Sequence, residues 1–274
     1  MRKNILIIGK RSFISLNIFL NLQYKQNLKI FNYKEFFDLN SSYIKNFDYI
    51  INCSINRRYI KDKYLQKNDL DFKIAKKIEK LSTKMIFLSS RKVYKNKYNL
   101  KENDPVGPRC NYSKNKLISE NILKKILKKK VLILRISNLI GPYKKNINKL
   151  HKTFIDIFFE KIKKGIIIQN NARYKDFLSI NKFCQILNDL IKNDAKGTYN
   201  VSIGKKIYLN EIVKWLNHYN TKEYNCVKLD KSFNNDNFTL NNRKLMKKIN
   251  VLNSIEQLKK DCRMISKNFF KNII

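Results

Sequence analysis

The chain has 274 residues, enough for one α/β domain with a smaller lobe or for two modest domains. Its 43% hydrophobic and 12% aromatic content supports a substantial core and excludes wholesale disorder. The net charge of +38 attracts polyanions, but the lysines run along the whole chain beside many Asn and Ile, a pattern that A/T-rich codons produce, so no specific nucleic-acid partner is expected.

Residues 4–8 (NILII) predict a buried strand, followed by a glycine turn and a helix over 12–24. LKIFNY (28–33), FDYIINCS (47–54) and MIFLSS (85–90) predict three more strands, with a helical spacing of apolar residues within 61–83. A long helix over 112–129 precedes the apolar strand VLILRISNLIG (131–141). Its basic end, LKKILKKKV (123–131), is expected to be a solvated face. Strands apolar throughout and alternating with helices indicate a parallel sheet covered on both faces, a Rossmann-type doubly wound α/β fold. Past residue 142 the pattern loosens into an amphipathic segment (151–165), strands at 165–169 and 197–203, a helix at 208–219, a polar Asn-rich stretch (230–245) and a closing helix (253–267). The expected organisation is a dinucleotide domain over 1–142 and a small α/β substrate lobe over 143–274, with a stretch near 170–205 returning to the first domain.

The cysteines at 53, 110, 184, 226 and 262 are scattered and form no CxxC pair, which disfavours a disulfide framework or zinc site and suits a reducing cytoplasm. With His151 and His218 the only histidines, a histidine-rich metal site is excluded. No signal peptide or membrane span is expected.

Two stretches carry the chemistry. IIGKRSFIS (7–15) has the strand–turn–helix layout of a dinucleotide loop but keeps one of its three glycines, Gly9. Ser12 and Ser15 stand where the other two belong; the amides of Ser12, Phe13 and Ile14 can face a diphosphate, and Arg11 adds charge. In YSKNK (112–116), Tyr112 and Lys116 lie one helical turn apart, so the ammonium favours the phenolate and the tyrosine can pass a proton to or from a sugar oxygen. Upstream, FLSSRKVY (87–94) sets Ser89 and Ser90 at a parallel strand's C-terminal end, where active-site groups gather.

The order Ser, Tyr, Lys resembles the extended short-chain dehydrogenase/reductase family of nucleotide-sugar epimerases, dehydratases and reductases. KENDPVGPRCNYSKNKLISE (101–120), Asn68 in the helix after the third strand, RISNLIGP (135–142), YKDFLSI (174–180) and GTYNVSIG (197–204) match further family pieces in order. By that resemblance Tyr112 is the acid/base, Lys116 holds the nicotinamide ribose, and Ser90 bonds the reacting oxygen, with Ser89 the alternative. Asn138 and Lys175 would meet the substrate; Cys53 and Ser54 would line the cofactor edge. Asp176 is expected to order the fold, and Trp215 and His218 to serve packing and surface.

Family dehydratases follow the serine with an Asp–Glu pair; here Arg91 and Lys92 stand there, and neither can act as a carboxyl acid. The compact chain suggests a 4-keto-sugar reductase of surface-polysaccharide or deoxysugar synthesis, similar to dTDP-4-dehydrorhamnose reductases, with an epimerase as the alternative. Asn32, where an NAD site wants an acid, together with Arg11 and Lys34, favours NADP(H) over NAD(H). A homodimer is the expected assembly. A non-catalytic redox sensor or RNA-associated protein on the same fold is the rival from another class.

Overall fold

A computed structural model describes residues 1–142, 154–169, 173–221, 225–228, 236–251 and 254–271. Strand β1 (Asn4–Ile8) leads into helix α1 (Phe13–Leu22), β2 (Asn27–Phe31), the short helices α2 (Tyr33–Asp38) and α3 (Ser41–Ile44), and β3 (Tyr49–Asn52). Next come α4 (Arg57–Lys61), α5 (Leu70–Ile78), β4 (Lys84–Ser90), α6 (Asn111–Leu127) and β5 (Val131–Ile136). The second half holds β6 (Asn138–Ile140), α7 (Phe154–Lys163), β7 (Ile166–Gln169), β8 (Tyr174–Lys175), β9 (Phe177–Ser179) and α8 (Ile180–Lys192). It closes with β10 (Gly197–Val201), β11 (Ile207–Tyr208), α9 (Leu209–Leu216), β12 (Asn225–Lys228), α10 (Arg243–Met246) and α11 (Ile255–Lys271).

Six parallel strands form the main sheet in the order β10-β5-β4-β3-β1-β2. The chain leaves β1 for β2 on one side and returns to β3 on the other, which opens a crevice beyond the C-terminal ends of β1 and β3. Both faces of the sheet are apolar, which explains strands without alternation. Ile5, Ile7 and Ile51 join Ile18 of α1 and Phe183 and Leu187 of α8 in one core cluster. Leu6, Ile8 and Ile50 join Ile74 of α5 and Leu123 of α6 in a second, on the other face. The doubly wound α/β fold expected from the sequence is the fold observed. Among the described residues no helix is long and apolar enough to cross a membrane.

Several elements differ from expectation. The helix expected within 61–83 is confined to α5, because Asp69 caps it by accepting from Phe72 N–H at 3.0 Å. Asn68 therefore ends a 3₁₀ turn (Gln66–Asn68) ahead of the helix, rather than lying in it. The basic run at 128–130 is not wholly solvated: Lys130 Nζ donates to the carbonyls of Glu79 and Leu81, both at 2.7 Å, and closes the end of α5. Within the Asn-rich stretch, Phe238 and Leu240 are fully buried with Val93, Tyr94 and Leu100. Two apolar residues among many polar ones carry no periodic signal, so this small core was invisible in the sequence. The closing helix runs from Ile255 through Lys271, longer than expected; residues 151–153, 230–235 and 253 of the expected segments lie outside the described residues.

Candidate active site

The turn after β1 requires its glycine twice over. Gly9 has φ of +118°, and a Cβ there would lie 2.9 Å from Ser54 Oγ. Gly9 N–H donates to the Phe31 carbonyl at 2.7 Å, and Ser12 N–H to the Gly9 carbonyl at 3.0 Å. Ser12 begins α1 without a side-chain capping bond, which leaves first-turn amides of the helix for a ligand anion. Ser15 does more than occupy a glycine's place: its hydroxyl donates to the carbonyl of Gly9 and, at 2.9 Å, to that of Ser12, tying the loop together. Phe13 and Ile14 pack partly buried against the core, and a Cβ on Gly141 would come within 2.5 Å of the Phe13 ring. Arg11 is exposed on the turn. A dinucleotide diphosphate fits this cradle, with its irreplaceable glycine and helix N-terminus.

At the end of β2, Asn32 caps α2. Its Oδ1 accepts from Glu35 N–H at 2.9 Å, while Glu35 Oε2 accepts from Asn32 N–H at 2.8 Å. Glu35 Oε1 pairs with Lys10 Nζ at 2.7 Å, and the Lys10 ammonium holds this carboxyl below its ordinary range. Cys53 and Ser54 are half-buried beyond the end of β3, where Ser54 N–H donates to Asn52 Oδ1 at 2.9 Å.

The second cluster joins the end of β4 to the start of α6. Ser89 is buried and donates to Glu120, whose carboxylate also holds Arg135 at 2.7 Å. Ser89 is thus committed to a buried ion-pair network. Ser90 is the half-buried hydroxyl at the strand end, accepting from Lys92 N–H at 3.2 Å. Tyr112 sits in the first turn of α6, with the Lys92 ammonium 6.0 Å from its ring centroid. Lys116, 6% exposed, places its ammonium 4.4 Å from the Phe87 ring centroid and 3.5 Å from Asp71 Oδ2.

Asp71 is the residue that sequence reasoning missed. Its other oxygen accepts from Asn52 Nδ2 at 2.8 Å. Asp69 lies behind it, accepting from Ser119 Oγ at 2.6 Å and Tyr64 OH at 3.0 Å. Burial pushes Asp71 up to about 6; the Lys116 charge pulls it down and Asp69 pushes it further up. Burial likewise opposes the Lys116 charge, but Asp71, Tyr112 and Asp69 outweigh it and hold the lysine above its ordinary value.

A cavity of about 440 Å³ opens at the start of α6, where Cys110 and Ser113 line it with Arg91, Lys92, Arg109, Arg173, Lys175 and Asp236 among others. Asp236 accepts from Arg91 Nη2 at 2.9 Å through both oxygens and from Lys175 Nζ at 2.8 Å. Burial opposes its charge, yet the Arg91 and Lys175 cations hold it down at about 2. Asn138, first residue of β6, is half-buried and donates its N–H to the Asp176 carbonyl at 3.4 Å. Asp176 accepts from the N–H groups of Ile203, Gly204 and Leu240 at 3.1, 3.1 and 3.0 Å, the organising role expected of it. Among the described residues no group of three or more His, Cys, Asp or Glu could hold a metal ion.

The sequence profile described as the NAD dependent epimerase/dehydratase family matches residues 28–202. The chain belongs to this family. The match begins at Leu28, beyond the glycine-poor loop. No curated protein matches the sequence. Among solved structures, the UDP-N-acetylglucosamine 4-epimerase of Methanobrevibacter ruminantium M1 superposes with a TM-score of 0.82 at 20% identity over 99% of both chains. The UDP-glucose 4-epimerase of Thermotoga maritima gives 0.75 at 15% identity over 99% of this chain and 100% of that one. The dTDP-glucose 4,6-dehydratase of Bacillus anthracis str. Ames, solved with NAD, gives 0.74 at 17% identity over 98% of this chain and 97% of that one. At these identities the likeness is one of fold.

Within that fold the structure gathers the expected residues into two places. Gly9, Arg11, Ser12, Phe13, Ile14, Asn32, Cys53 and Ser54 follow the C-terminal ends of the adjacent strands β1, β2 and β3. Ser90, Tyr112 and Lys116 stand at the neighbouring strand end and helix start; Lys175 lines the cavity, and these three do not, although their chain neighbours Lys92 and Ser113 do. Asn138 lies outside that cavity's lining.

Proposed function

We propose that the protein uses a nicotinamide dinucleotide to oxidise and re-reduce one carbinol carbon of a nucleotide-sugar, so that the net reaction is epimerisation. The observation that supports this reading is the buried Lys116, one helical turn after Tyr112, linked through Asp71 and Asn52 to Ser54 against the Gly9 turn. When bound, the nicotinamide supplies the hydride acceptor and donor. Tyr112 takes the proton from the sugar hydroxyl as the carbonyl forms and returns it on reduction. Ser90 holds the sugar oxygen in line with the phenol. Lys116, kept cationic by Asp71, stabilises the phenolate and bonds the ribose of the cofactor.

Dehydration is disfavoured, because Arg91 and Lys92 occupy the place of its carboxyl pair. The nearby carboxylate, Asp236, is held at about 2 by two cations and cannot donate a proton near neutrality. The compact chain, which suggested a reductase, no longer separates the two readings, since a solved 4-epimerase is matched over 99% of both chains. NAD(H) is the proposed cofactor, against the NADP(H) preference expected from sequence. The capping box returns the Glu35 carboxylate to Asn32 at the end of β2, and an anion there opposes a 2′-phosphate. In this reading residues 1–142 hold the dinucleotide and 143–274 mainly the sugar nucleotide.

The test is incubation of the NAD-loaded protein with UDP-glucose or UDP-N-acetylglucosamine, following the C4 epimer by NMR. Epimer formation without net cofactor consumption supports the proposal. Stoichiometric consumption of reduced cofactor by a 4-keto sugar, with no epimer formed, assigns the reductase instead.

A further inference from the structure

This inference rests on the nucleotide-sugar reading above and concerns which sugar. We propose that the sugar reaching Tyr112 extends into the cavity lined by Lys92 and Ser113 and carries an acidic group, so that the substrate is a nucleotide-linked sugar acid. Five cationic side chains line the cavity, Arg91, Lys92, Arg109, Arg173 and Lys175, against the carboxylate of Asp236. That carboxylate is already shared between Arg91 and Lys175. Lys92 and Arg109 have no carboxylate within ion-pair distance among the described residues.

This is not the average lysine of a basic surface. Arg91 is 5% exposed, stacks its guanidinium 3.8 Å from the Phe238 ring centroid, and leaves a buried Nε without a hydrogen-bond partner among the described residues. An unpaired buried donor costs about 1–3 kcal/mol, more when charged, and a ligand oxygen can satisfy it. The N-terminus of α6 borders the same cavity at Cys110 and Ser113, adding the positive end of a 17-residue helix.

A diphosphate and a sugar carboxylate offer the same anionic oxygens, and position separates them. The Lys92 ammonium lies 6.0 Å from the Tyr112 ring centroid, at the reacting end of the site. The diphosphate of a sugar nucleotide lies on the far side of the pyranose ring from a carbon reacting at Tyr112. A carboxylate on the sugar would meet the ammonium of Lys92 and the guanidinium fork of Arg109, which together recognise it in a charge-assisted geometry.

Calorimetric titration of the NAD-loaded protein with UDP, UDP-glucose and UDP-glucuronate, and with the dTDP forms of the same three, tests this. The glucuronate should bind at least tenfold tighter than the glucose form of the accepted nucleotide. Lys92→Thr or Arg109→Ala should bring that ratio close to one. If both sugars bind as tightly as each other and no tighter than the bare nucleotide, the cations serve the diphosphate; the inference then fails and the nucleotide-sugar reading stands. If no nucleotide or nucleotide-sugar binds in either form, the reading itself fails and this inference with it.

Discussion

Replacing Asp71 with Asn should make the protein more stable and less active. The substitution keeps the shape of the side chain and an acceptor for Asn52 Nδ2, and removes only the charge. Two effects compete. The Lys116 ammonium at 3.5 Å attracts the carboxylate by about 5 kcal/mol at an effective dielectric constant of roughly 20. Against it stand the desolvation of a 5% exposed carboxylate, several kcal/mol for a buried ion, and the like charge of Asp69. Burial wins: a carboxyl held at about 6 against an ordinary 3.8 ionises in the folded protein at a cost on the order of 2–3 kcal/mol. The folded value lies above the unfolded one. The stability contributed by protonated Asp71 is therefore complete below pH 3.8 and is lost as pH rises through about 6.

Asp71→Asn and the parent should thus unfold alike near pH 4. By neutrality the variant should be roughly 1–3 kcal/mol more stable, a rise of about 3–10 °C in Tm for a chain of this size. Urea and thermal melts across that pH range measure the gap, and turnover of the variant should fall on the order of tenfold as Lys116 loses its anchor. A variant destabilised at neutral pH, or a gap that does not grow with pH, would refute the reasoning and make the ion pair a net stabiliser.

Three other outcomes follow from the same geometry. Gly9→Ala should cost about 1–3 kcal/mol and abolish fluorescence enhancement of bound NADH, because its φ of +118° and the nearby Ser54 Oγ both reject a Cβ; retained NADH binding would remove the loop from the cofactor site. Asp236→Asn leaves Arg91 buried beside an uncharged partner and should destabilise near neutrality by roughly 1–3 kcal/mol. Asp236 is held at about 2, below its unfolded value, so that difference should be complete above about pH 4 and close as pH falls towards 2 in acid unfolding curves. Cys110 is exposed and lines the cavity while Cys184 and Cys262 are buried. Peptide mapping after alkylation should show Cys110 protected by the bound nucleotide-sugar; unchanged labelling would place the ligand elsewhere.

The fold was legible because both faces of the sheet are buried: strands such as Asn4–Ile8 and Val131–Ile136 read as mainly apolar runs, without polar alternation, between helices. Tyr112 and Lys116 were legible because one helical turn fixes their relation. What sequence hid were partners set by tertiary approach. Asp71 reads as a polar residue near a helix start, and nothing local places it against a lysine 45 positions later. Asp236 lies 145 positions from Arg91 in a stretch whose composition suggested a loop. The distinction between Ser89 and Ser90 likewise waited on Glu120, which claims the first hydroxyl. In the glycine-poor loop, sequence showed what was lost but not that Ser15 replaces a packing glycine with hydrogen bonds to Gly9 and Ser12.

The most direct test of the account is Tyr112→Phe, assayed in parallel for cofactor affinity and for sugar turnover. Removing the phenolic oxygen leaves the Gly9 cradle and Lys116 in place. NADH affinity should stay within about twofold of the parent while epimer formation falls by at least two to four orders of magnitude, the range general acid–base catalysis supplies. A variant that binds cofactor and still turns the sugar over at the parental rate would contradict the central claim, that proton transfer at Tyr112 drives the chemistry of this site.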